Sequence, residues 1–184
     1  MITVTFIAGL PGAGKTTMRA LTASRFKNAR VLSTDDFIEA KAEFHGVSYN
    51  TIFKDTIKEA EKVMNAQAQK SMEGGNDIIV DRTLLTPKSR ASMISKLKNI
   101  AHPLGIELQF EIFFLDTDTS VIRRRNEERK ANGRSVPEHV LDSMIETKVL
   151  PTAAEEFRDI YILKMGDAGT VEHMEHIMGS VLAV

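Results

Sequence analysis

Short apolar runs alternate along the chain with segments of helical spacing. The runs that are typical of buried strands read ITVTFIA, VLS, DIIVD, IELQFEIFFLD and DIYILKM. Between them, in TTMRALTASRF and from Asn50 to Glu73, apolar side chains recur every three or four positions, which predicts amphipathic helices. This alternation favours an α/β fold in which a parallel sheet of about five strands is covered by helices on both faces.

Capping residues mark where further helices begin. Thr86 and Pro87 have the N-cap and first-turn pattern of a helix that runs to the sequence HPLG. Ser135 and Glu138 are spaced as a capping box around Pro137, before the helix EHVLDSMIETKVL. The last apolar pattern, VEHMEHIMGSVL, predicts a terminal helix. Because no repeat or linker interrupts these elements, we expect a single domain over residues 1–184.

The junction between the first strand and the first helix reads GLPGAGKTT. Its Gly9, Gly14, Lys15 and Thr16 complete the pattern G-x-x-x-x-G-K-[ST], whose backbone amides cradle the phosphates of a nucleoside triphosphate. Glycines let a phosphate approach the backbone, and the helix start directs its partial positive charge at the anion. Lys15 is predicted to reach the outer phosphates and Thr16 to bind Mg²⁺. The predicted ATP-binding residues of this loop are Gly9, Pro11, Gly12, Ala13, Gly14, Lys15, Thr16 and Thr17.

Carboxylates follow the second and third predicted strands, at the sheet edge where ligands of parallel sheets bind. Phosphoryl transfer to an alcohol needs a group that positions and deprotonates the hydroxyl. We predict that Asp35 is this base and that Asp81 orients the acceptor or holds a metal-bound water. Asp36 is a substitute for either role, and a helix cap is the alternative interpretation of both Asp35 and Asp36. Arg82 either contacts a substrate phosphate or pairs with Asp81.

A basic and mostly helical segment follows the fourth predicted strand. Arg125 and Arg129 are four residues apart and therefore share a helix face. The segment, about residues 119–135, has the position of a lid, where arginines that close over a triphosphate stabilise the charge of a loose transition state. We predict that Arg125 and Arg129 are catalytic and that they bind the ATP phosphates together with Arg134. A solvated basic helix face is the alternative for any one of them.

Composition changes this picture little. A length of 184 residues suffices for one substantial core, and a formal net charge of -1 argues against a protein held to nucleic acid by overall attraction. The balanced charge hides the lid and a second basic group, in which Lys88 and Arg90 are either solvated or in contact with a polynucleotide phosphate. Because cysteine, a signal-peptide pattern and a bilayer-spanning apolar run are all missing, we expect a cytoplasmic protein without a membrane partner.

The motifs together resemble a known family. GLPGAGKTT, STDDF, IIVDRTLLTPKSR and RRRNEERKANGRSVPEHVLDSM occur in the order, and at about the spacing, of the phage-type polynucleotide 5′-hydroxyl kinases, within the small P-loop kinases. The similarity covers about residues 2–144. It implies the P-loop kinase fold with a helical lid, the use of ATP and Mg²⁺, and a nucleic acid or nucleotide as the acceptor.

The same resemblance implies roles for individual residues. The aspartate that matches Asp35 is the general base in that family, and the one that matches Asp81 lies in the acceptor site. Arg125 matches the first lid arginine. The second lid arginine matches Arg129 or Arg134, since the lid of this chain is a few residues longer.

One position departs from the family. Where the family has an arginine that contacts the acceptor phosphate, three residues after the base, this chain has Ile38. The leading prediction is ATP-dependent transfer of the γ-phosphate to a hydroxyl of a polynucleotide or nucleotide. The hydroxymethyl group of a modified pyrimidine in DNA, 5-hydroxymethyluracil, is an alternative acceptor, and a small-molecule kinase and an ATP-dependent switch are further alternatives. We expect no phosphatase domain of the kind that accompanies some polynucleotide kinases; DNA and RNA, ATP and GTP, and any oligomeric state are compatible with the sequence.

Overall fold

The computed structural model describes residues 1–25, 28–166 and 170–179, which form one six-stranded sheet with flanking helices. Its strands are β1 (Ile2–Gly9), β2 (Arg30–Leu32), β3 (Ile78–Asp81), β4 (Leu108–Leu115), β5 (Asp159–Met165) and β6 (Val171–Met178). They lie in the order β2-β3-β1-β4-β5-β6, with the first five strands parallel and β6 antiparallel to β5. The predicted α/β fold with about five parallel strands is confirmed, and a sixth strand joins the edge.

The helices fill the connections between the strands. They are α1 (Lys15–Arg25), α2 (Thr34–His45), α3 (Tyr49–Glu73), α4 (Pro87–Ala101), α5 (Thr119–Glu128) and α6 (Glu138–Thr147). Single 3₁₀ turns cover His102–Leu104 and Arg129–Asn132. The predicted first helix also included Phe26, which lies outside the described residues. Among the helices of residues 1–25, 28–166 and 170–179, none is long and apolar enough to cross a membrane.

β1 occupies the middle of the sheet, between β3 and β4. All but one of its eight residues are buried, as expected for a strand covered on both faces. Its Phe6 ring contacts Phe110 and Phe157 edge to face, at centroid distances of 5.9 and 5.5 Å. The core therefore runs through the strand that leads into the glycine-rich loop.

Strand register brings the predicted site residues to one edge. Ile7 of β1 lies opposite Asp81 of β3, and Gly9 lies opposite Leu115 of β4. Because these strands are parallel, their carboxyl ends and the loops that follow them meet at the same edge of the sheet.

The predicted terminal helix is wrong for residues 171–178, which form the edge strand β6. The backbone of β6 pairs with β5 along its whole length. The His176 ring stacks on Tyr161 at 4.6 Å, and its Nε2 lies 3.0 Å from a carboxylate oxygen of Asp159. Local apolar spacing favoured a helix, but hydrogen-bonding groups of β5 at the sheet edge decided the structure. Residues 180–182 of the predicted helix lie outside the described residues.

The predicted capping box before α6 is also wrong. The helix begins after Pro137, and no side chain caps it at that residue. Ser135 instead uses its carbonyl oxygen to accept a hydrogen bond from Asn50 Nδ2, at 2.9 Å. The Asn126 side chain binds both the N–H and the carbonyl of Val136, at 2.8 and 2.9 Å. These distant partners hold the chain extended before Pro137.

Helix α2 was not predicted, and its start changes the interpretation of the two aspartates. Ser33 is its N-cap, and its hydroxyl accepts a hydrogen bond from the N–H of Asp36 at 3.2 Å. Asp35 and Asp36 lie in the first turn, where a carboxylate interacts favourably with the helix dipole. The interpretation of either aspartate as the helix cap is therefore wrong.

Arg90 is fully buried, so the prediction of a solvated or phosphate-binding side chain is wrong. Its guanidinium donates two hydrogen bonds to Glu155, at 2.6 and 2.8 Å, and one each to the carbonyls of Leu84 and Val149. The same group lies 5.7 Å from the Phe114 ring centroid. A buried charge is tolerated only when it is paired and hydrogen-bonded, and this one joins the loop after β3 to the segment before β5.

Candidate active site

The predicted site residues meet in a cavity of about 520 Å³ at the edge where β1, β2 and β3 end. The predicted residues that line it are Pro11, Gly12, Gly14, Lys15, Thr16, Thr17, Asp35, Asp36, Asp81, Arg125, Arg129 and Arg134. Three further predicted residues, Gly9, Ala13 and Arg82, are not part of its lining. The loop, the carboxylates and the lid arginines therefore face one common space.

The glycine-rich loop is held by contacts with the end of β4 and with the segments that follow β3 and β4. Gly9 has a φ of +146°, and a Cβ at this residue would lie 2.8 Å from the carbonyl oxygen of Leu115. Its N–H donates to the carbonyl of Thr83 at 3.0 Å. The buried Thr117 hydroxyl donates to the carbonyl of Ala13 at 2.9 Å. Only glycine fits the first of these positions, which explains why the loop begins there.

Lys15 lies where the loop becomes α1. Its Nζ donates to the carbonyls of Gly9 and Leu10, both at 3.1 Å. Burial lowers the pKa of the Lys15 ammonium, while the nearby carboxylates of Asp81 and Asp35 act in the opposite direction. A buried ammonium held by the loop it serves is suited to contact the phosphates of a triphosphate.

Thr16 shares the cavity with Asp35 and Asp81, so that a hydroxyl and two carboxylates line the same space. Mg²⁺ prefers oxygen ligands, and proteins usually hold it by one or two carboxylates together with substrate phosphates. No cluster of three or more His, Cys, Asp or Glu side chains within residues 1–25, 28–166 and 170–179 could hold a metal by itself. These residues fit a Mg²⁺ ion that arrives with the triphosphate, and Thr16 would bind it.

Asp35 has a partner that the sequence did not reveal. The Tyr49 hydroxyl, in the first turn of α3, donates to Asp35 Oδ1 at 2.7 Å. Burial raises the pKa of the Tyr49 hydroxyl, and the charge of Asp35 raises it further, so the phenol stays neutral and remains a donor. The Tyr49 ring lies 5.6 Å from the ring of Phe53 on the same helix. We call residues 34–50, which carry Asp35 and Tyr49, the helical wall of the cavity.

Arg19 binds the other two carboxylates. Its Nη1 lies 2.8 Å from both carboxylate oxygens of Asp36 and 3.4 Å from Asp81 Oδ2. Burial raises the pKa of the Asp81 carboxyl, whereas the cations of Lys15 and Arg19 act against this shift. Arg19 thus pairs with both Asp36 and Asp81, while the hydrogen bond of Asp35 comes from an uncharged hydroxyl.

Two other positions of interest face away from the cavity. Arg82 Nη1 lies 3.6 Å from Glu61 Oε1 on α3, which makes Glu61 its ion-pair partner in place of the predicted Asp81. Contact of Arg82 with a substrate phosphate stays a prediction. Ile38 is fully buried on α2, so the position at which the resembling family has a phosphate-binding arginine points into the core here.

The lid arginines surround the outer side of the cavity. Arg125 Nη1 donates to the carbonyl of Gly12 at 2.8 Å, which connects the lid helix to the phosphate loop. Burial lowers the pKa of Arg129, and the charges of Arg134 and Arg125 lower it further. Arg134 forms an ion pair with Glu39 of α2. An anion with several charges would relieve the repulsion among these cations.

The lid also contacts the helical wall directly. The N–H of Asn50 donates to the carbonyl of Gly133 at 3.2 Å. Gly133 has a φ of +61°, and a Cβ at this residue would lie 2.6 Å from Ser48 Cβ. Together with the Asn50–Ser135 and Arg134–Glu39 contacts, this close approach joins the lid to the wall that carries Asp35.

A family model described as an AAA domain matches residues 4–151. The chain belongs to this family. With its complete phosphate loop, the protein is a P-loop kinase-like, ATP-dependent phosphotransferase. P-loop kinases in general use ATP with Mg²⁺, and the acceptor is the point on which they differ.

Solved structures share the fold of this AAA-domain kinase. A putative kinase from Chloroflexus aurantiacus j-10-fl is 18% identical, with a TM-score of 0.67 over 89% of this chain and 85% of that one. A chain of the PezAT toxin-antitoxin system of Streptococcus pneumoniae is 18% identical, with a TM-score of 0.59 over 95% and 71% of the two chains. A chain of the Pnkp1/Rnl/Hen1 RNA repair complex is 16% identical, with a TM-score of 0.56 over 79% and 43%. At these identities the likeness shows the fold alone.

The sequence did not identify Arg19, Tyr49 and Asn126, whose side chains hold segments around the site of the AAA-domain kinase. Arg19 lies four positions after Lys15, so a search for polar residues on the same face of α1 could have found it. Tyr49 is fourteen positions from Asp35, and Asn126 is ten from Val136, so no local pattern connects either pair. Only the tertiary structure reveals these contacts.

Proposed function

We propose that this AAA-domain kinase transfers the γ-phosphate of ATP to a hydroxyl of a polynucleotide or nucleotide, with Asp35 as the general base. The observation that carries the proposal is the difference between the three carboxylates. Arg19 binds Asp36 and Asp81, whereas Asp35 shares its cavity with Lys15 and accepts a hydrogen bond from Tyr49. An acceptor hydroxyl can therefore hydrogen-bond to Asp35 without displacing Arg19, and a general base must lie within hydrogen-bond reach of the proton that it takes.

The proposed reaction is a single displacement. The acceptor hydroxyl oxygen attacks the γ-phosphorus, the bond from that phosphorus to the β,γ-bridging oxygen breaks, and the hydroxyl proton passes to Asp35. ADP leaves with the bridging oxygen. Lys15, Arg125 and Arg129 line the cavity and would stabilise the charge on the transferring group. Thr16 would hold Mg²⁺, which supplies further neutralisation of the phosphate charge when bound.

One observation favours a second acceptor. The side chain of Ile38 is buried in α2, so the acceptor phosphate contact of the resembling 5′-hydroxyl kinases has no counterpart at this position. A hydroxyl elsewhere on a nucleic acid would keep the base and the loop while using other acceptor contacts. The hydroxymethyl group of a modified pyrimidine, 5-hydroxymethyluracil in DNA, is therefore our alternative acceptor.

The decisive experiment supplies γ-labelled ATP and a panel of acceptors: DNA and RNA with 5′-hydroxyl ends, DNA that contains 5-hydroxymethyluracil, and mononucleotides. We expect label on one nucleic-acid or nucleotide hydroxyl. Asp35→Asn should lower the transfer rate by about a hundredfold or more while ATP binding is kept. Asp36→Asn makes the same charge change one residue away and should lower it far less. Transfer at the original rate by Asp35→Asn, or no label on any member of this panel, would contradict the proposal.

A further inference from the structure

Three lysines form a row along α3, outside the catalytic cavity. Lys54, Lys58 and Lys62 follow one another at intervals of four residues, and all three are exposed. Residues four apart are neighbours on a helix surface, about 6 Å apart along the axis. In the part of the chain that the structure describes, no carboxylate lies within ion-pair distance of any of the three. We call this set the lysine row.

The acids near the lysine row are bound from neighbouring elements. Glu59 pairs with Lys41 of α2 at 2.5 Å, and Glu61 pairs with Arg82 at 3.6 Å. Asp55 is the third acid of this stretch. The lysine row together with Lys41 and Arg82 makes five cations against three acids. The surface therefore keeps a positive excess, although the whole chain has a net charge of -1.

The lysine row begins one residue after Phe53, whose ring lies beside the hydrogen-bond partner of the base. Phe53, immediately before Lys54, has a side chain that is 37% exposed, and its ring lies 5.6 Å from that of Tyr49. The Tyr49 hydroxyl in turn donates to Asp35. Aromatic rings beside a basic surface are the combination on which single-stranded nucleic acids stack their bases.

The other end of the row continues as a groove of about 860 Å³ between α3 and α4. Its polar lining consists of Asn65, Gln69, Ser92, Ser95, Lys96 and Asn99. The residues that line this groove include no carboxylate, and one of its amides, that of Gln69, donates to Glu73 Oε1 at 2.9 Å. Amides, hydroxyls and an ammonium are the groups that proteins use to bind phosphate and sugar oxygens.

We propose that the lysine row and the α3–α4 groove bind the sugar-phosphate backbone of the polynucleotide whose hydroxyl is phosphorylated. From Phe53 to Gln69 this surface extends for about 24 Å along the helix, at about 1.5 Å per residue. The regular cations and the acid-free groove match a strand of repeating phosphates, and the strand would leave Asp35 along α3. This inference rests on the proposed function and names the part of the acceptor beyond the reacting group.

The test compares two triple variants with the same change in net charge. Lys54→Gln, Lys58→Gln and Lys62→Gln together remove the lysine row, whereas Arg30→Gln, Lys70→Gln and Lys164→Gln remove three exposed cations that belong neither to the row nor to the lining of the groove. Binding of a fluorescent 20-nucleotide single strand is measured by anisotropy as a function of salt, as DNA and as RNA. We expect the row variant to bind at least about tenfold more weakly, with a salt slope lower by about 2, because each phosphate contact on a single strand contributes about 0.7. The control triple should bind as the original protein does.

Transfer kinetics separate this inference from the proposed function. The row variant should raise KM for an oligonucleotide, leave kcat unchanged, and leave transfer to a mononucleotide unchanged. Equal effects of the two triples, or tighter binding of the original protein to phosphatidylserine vesicles than to the oligonucleotide, would overturn the inference while labelled oligonucleotide still supported the proposed function. If no nucleic acid or nucleotide is labelled, the proposed function itself fails, even where the row variant loses binding. Thermal melts of both triples confirm that they are folded.

Discussion

The phosphate loop and the helical wall face the same cavity, but they are built in different ways. The loop is a contiguous stretch fixed through backbone groups, such as the N–H of Gly9 on the carbonyl of Thr83 at 3.0 Å. The wall is held by side chains that come from separate parts of the chain: Tyr49 binds Asp35, and Glu39 binds Arg134 of the lid. The loop depends on a few glycines, whereas the wall depends on many individual side chains.

This difference explains why the sequence identifies the nucleotide-binding site but does not identify the acceptor. A backbone cradle requires a short, fixed pattern, so the motif alone identifies it. A wall of side chains can change its chemistry without changing the fold, so no comparable short motif identifies the acceptor. Mutations in the loop should therefore affect ATP binding, whereas mutations in the wall should affect the transfer step.

Gly9→Ala tests the phosphate loop, which is held through backbone groups. The new Cβ would lie 2.8 Å from the Leu115 carbonyl oxygen, a backbone atom that cannot move aside, at a φ of +146°. We expect a loss of more than about 2 kcal/mol in the free energy of unfolding, and no measurable ATP binding. Gly105→Ala is the control, because Gly105 has a φ of +65° and nothing within 4 Å; it should lose about 1 kcal/mol and keep ATP binding. Equal losses in urea unfolding would show that the close approach to Leu115 is unimportant.

Tyr49→Phe tests the helical wall, which is held through side chains. The substitution removes the hydroxyl that donates to Asp35 at 2.7 Å and keeps the ring beside Phe53. Because a hydrogen bond to a charged group contributes about 1.5–3 kcal/mol, we expect kcat to fall at least about tenfold, with an unchanged Kd for ATP. Tyr161→Phe, at the only other tyrosine, is the control and should retain full activity. A parallel loss of ATP affinity in Tyr49→Phe would mean that the loop and the wall are not separate.

Gly133→Ala tests the junction between the lid and the wall. The Cβ would lie 2.6 Å from Ser48 Cβ, so the lid turn has to move away from α3. We expect kcat/KM to fall about fivefold, or about 1 kcal/mol, and the free energy of unfolding to fall by at least the amount expected for Gly105→Ala. Adding Ser48→Gly removes the clashing atoms and should restore activity to the level of Gly105→Ala, which shares the positive φ without the contact. Failure of this rescue would contradict a functional contact between lid and wall.

Asp81→Asn tests the raised pKa of Asp81 through the pH dependence of the free energy of unfolding. Burial raises the pKa of Asp81, so the folded state binds this proton more tightly than the unfolded state does. The stability that this proton contributes is complete below the unfolded pKa and is lost as pH rises through the folded pKa. Asparagine is uncharged throughout, so the stability of the variant relative to the original protein should increase between pH 4 and 7, by about 1.4 kcal/mol per unit of pKa shift. A difference that stays constant, or that decreases, in urea unfolding would contradict the assigned shift.

The fold was largely predictable because its strongest patterns are local. Five strands and the long helix α3 follow from apolar periodicity within single segments. The failures occurred where a distant partner decides: β6 forms because β5 offers an unpaired edge, and Asn126 holds Val136 extended where a capping box was expected. A pattern of eight residues carries no information about such partners.

The site was predictable to the same extent. The loop, the carboxylates after the strands and the lid arginines were found from spacing, and the structure brings them into one cavity. The contacts that distinguish one carboxylate from another were not found, because Arg19 and Tyr49 reach Asp36 and Asp35 from other helices. Arg90 has the sequence context of a surface cation, and only its burial against Glu155 shows otherwise.

The buried guanidinium of Arg90 has a consequence for the reaction cycle. It holds the carbonyls of Leu84 and Val149 and the carboxylate of Glu155, and separating a buried charge from its partner is unfavourable by about 3–5 kcal/mol. Residues 81–90 therefore keep their place while substrates enter and products depart. We therefore expect any movement that admits ATP or releases ADP to come from other segments around the cavity, such as residues 119–135.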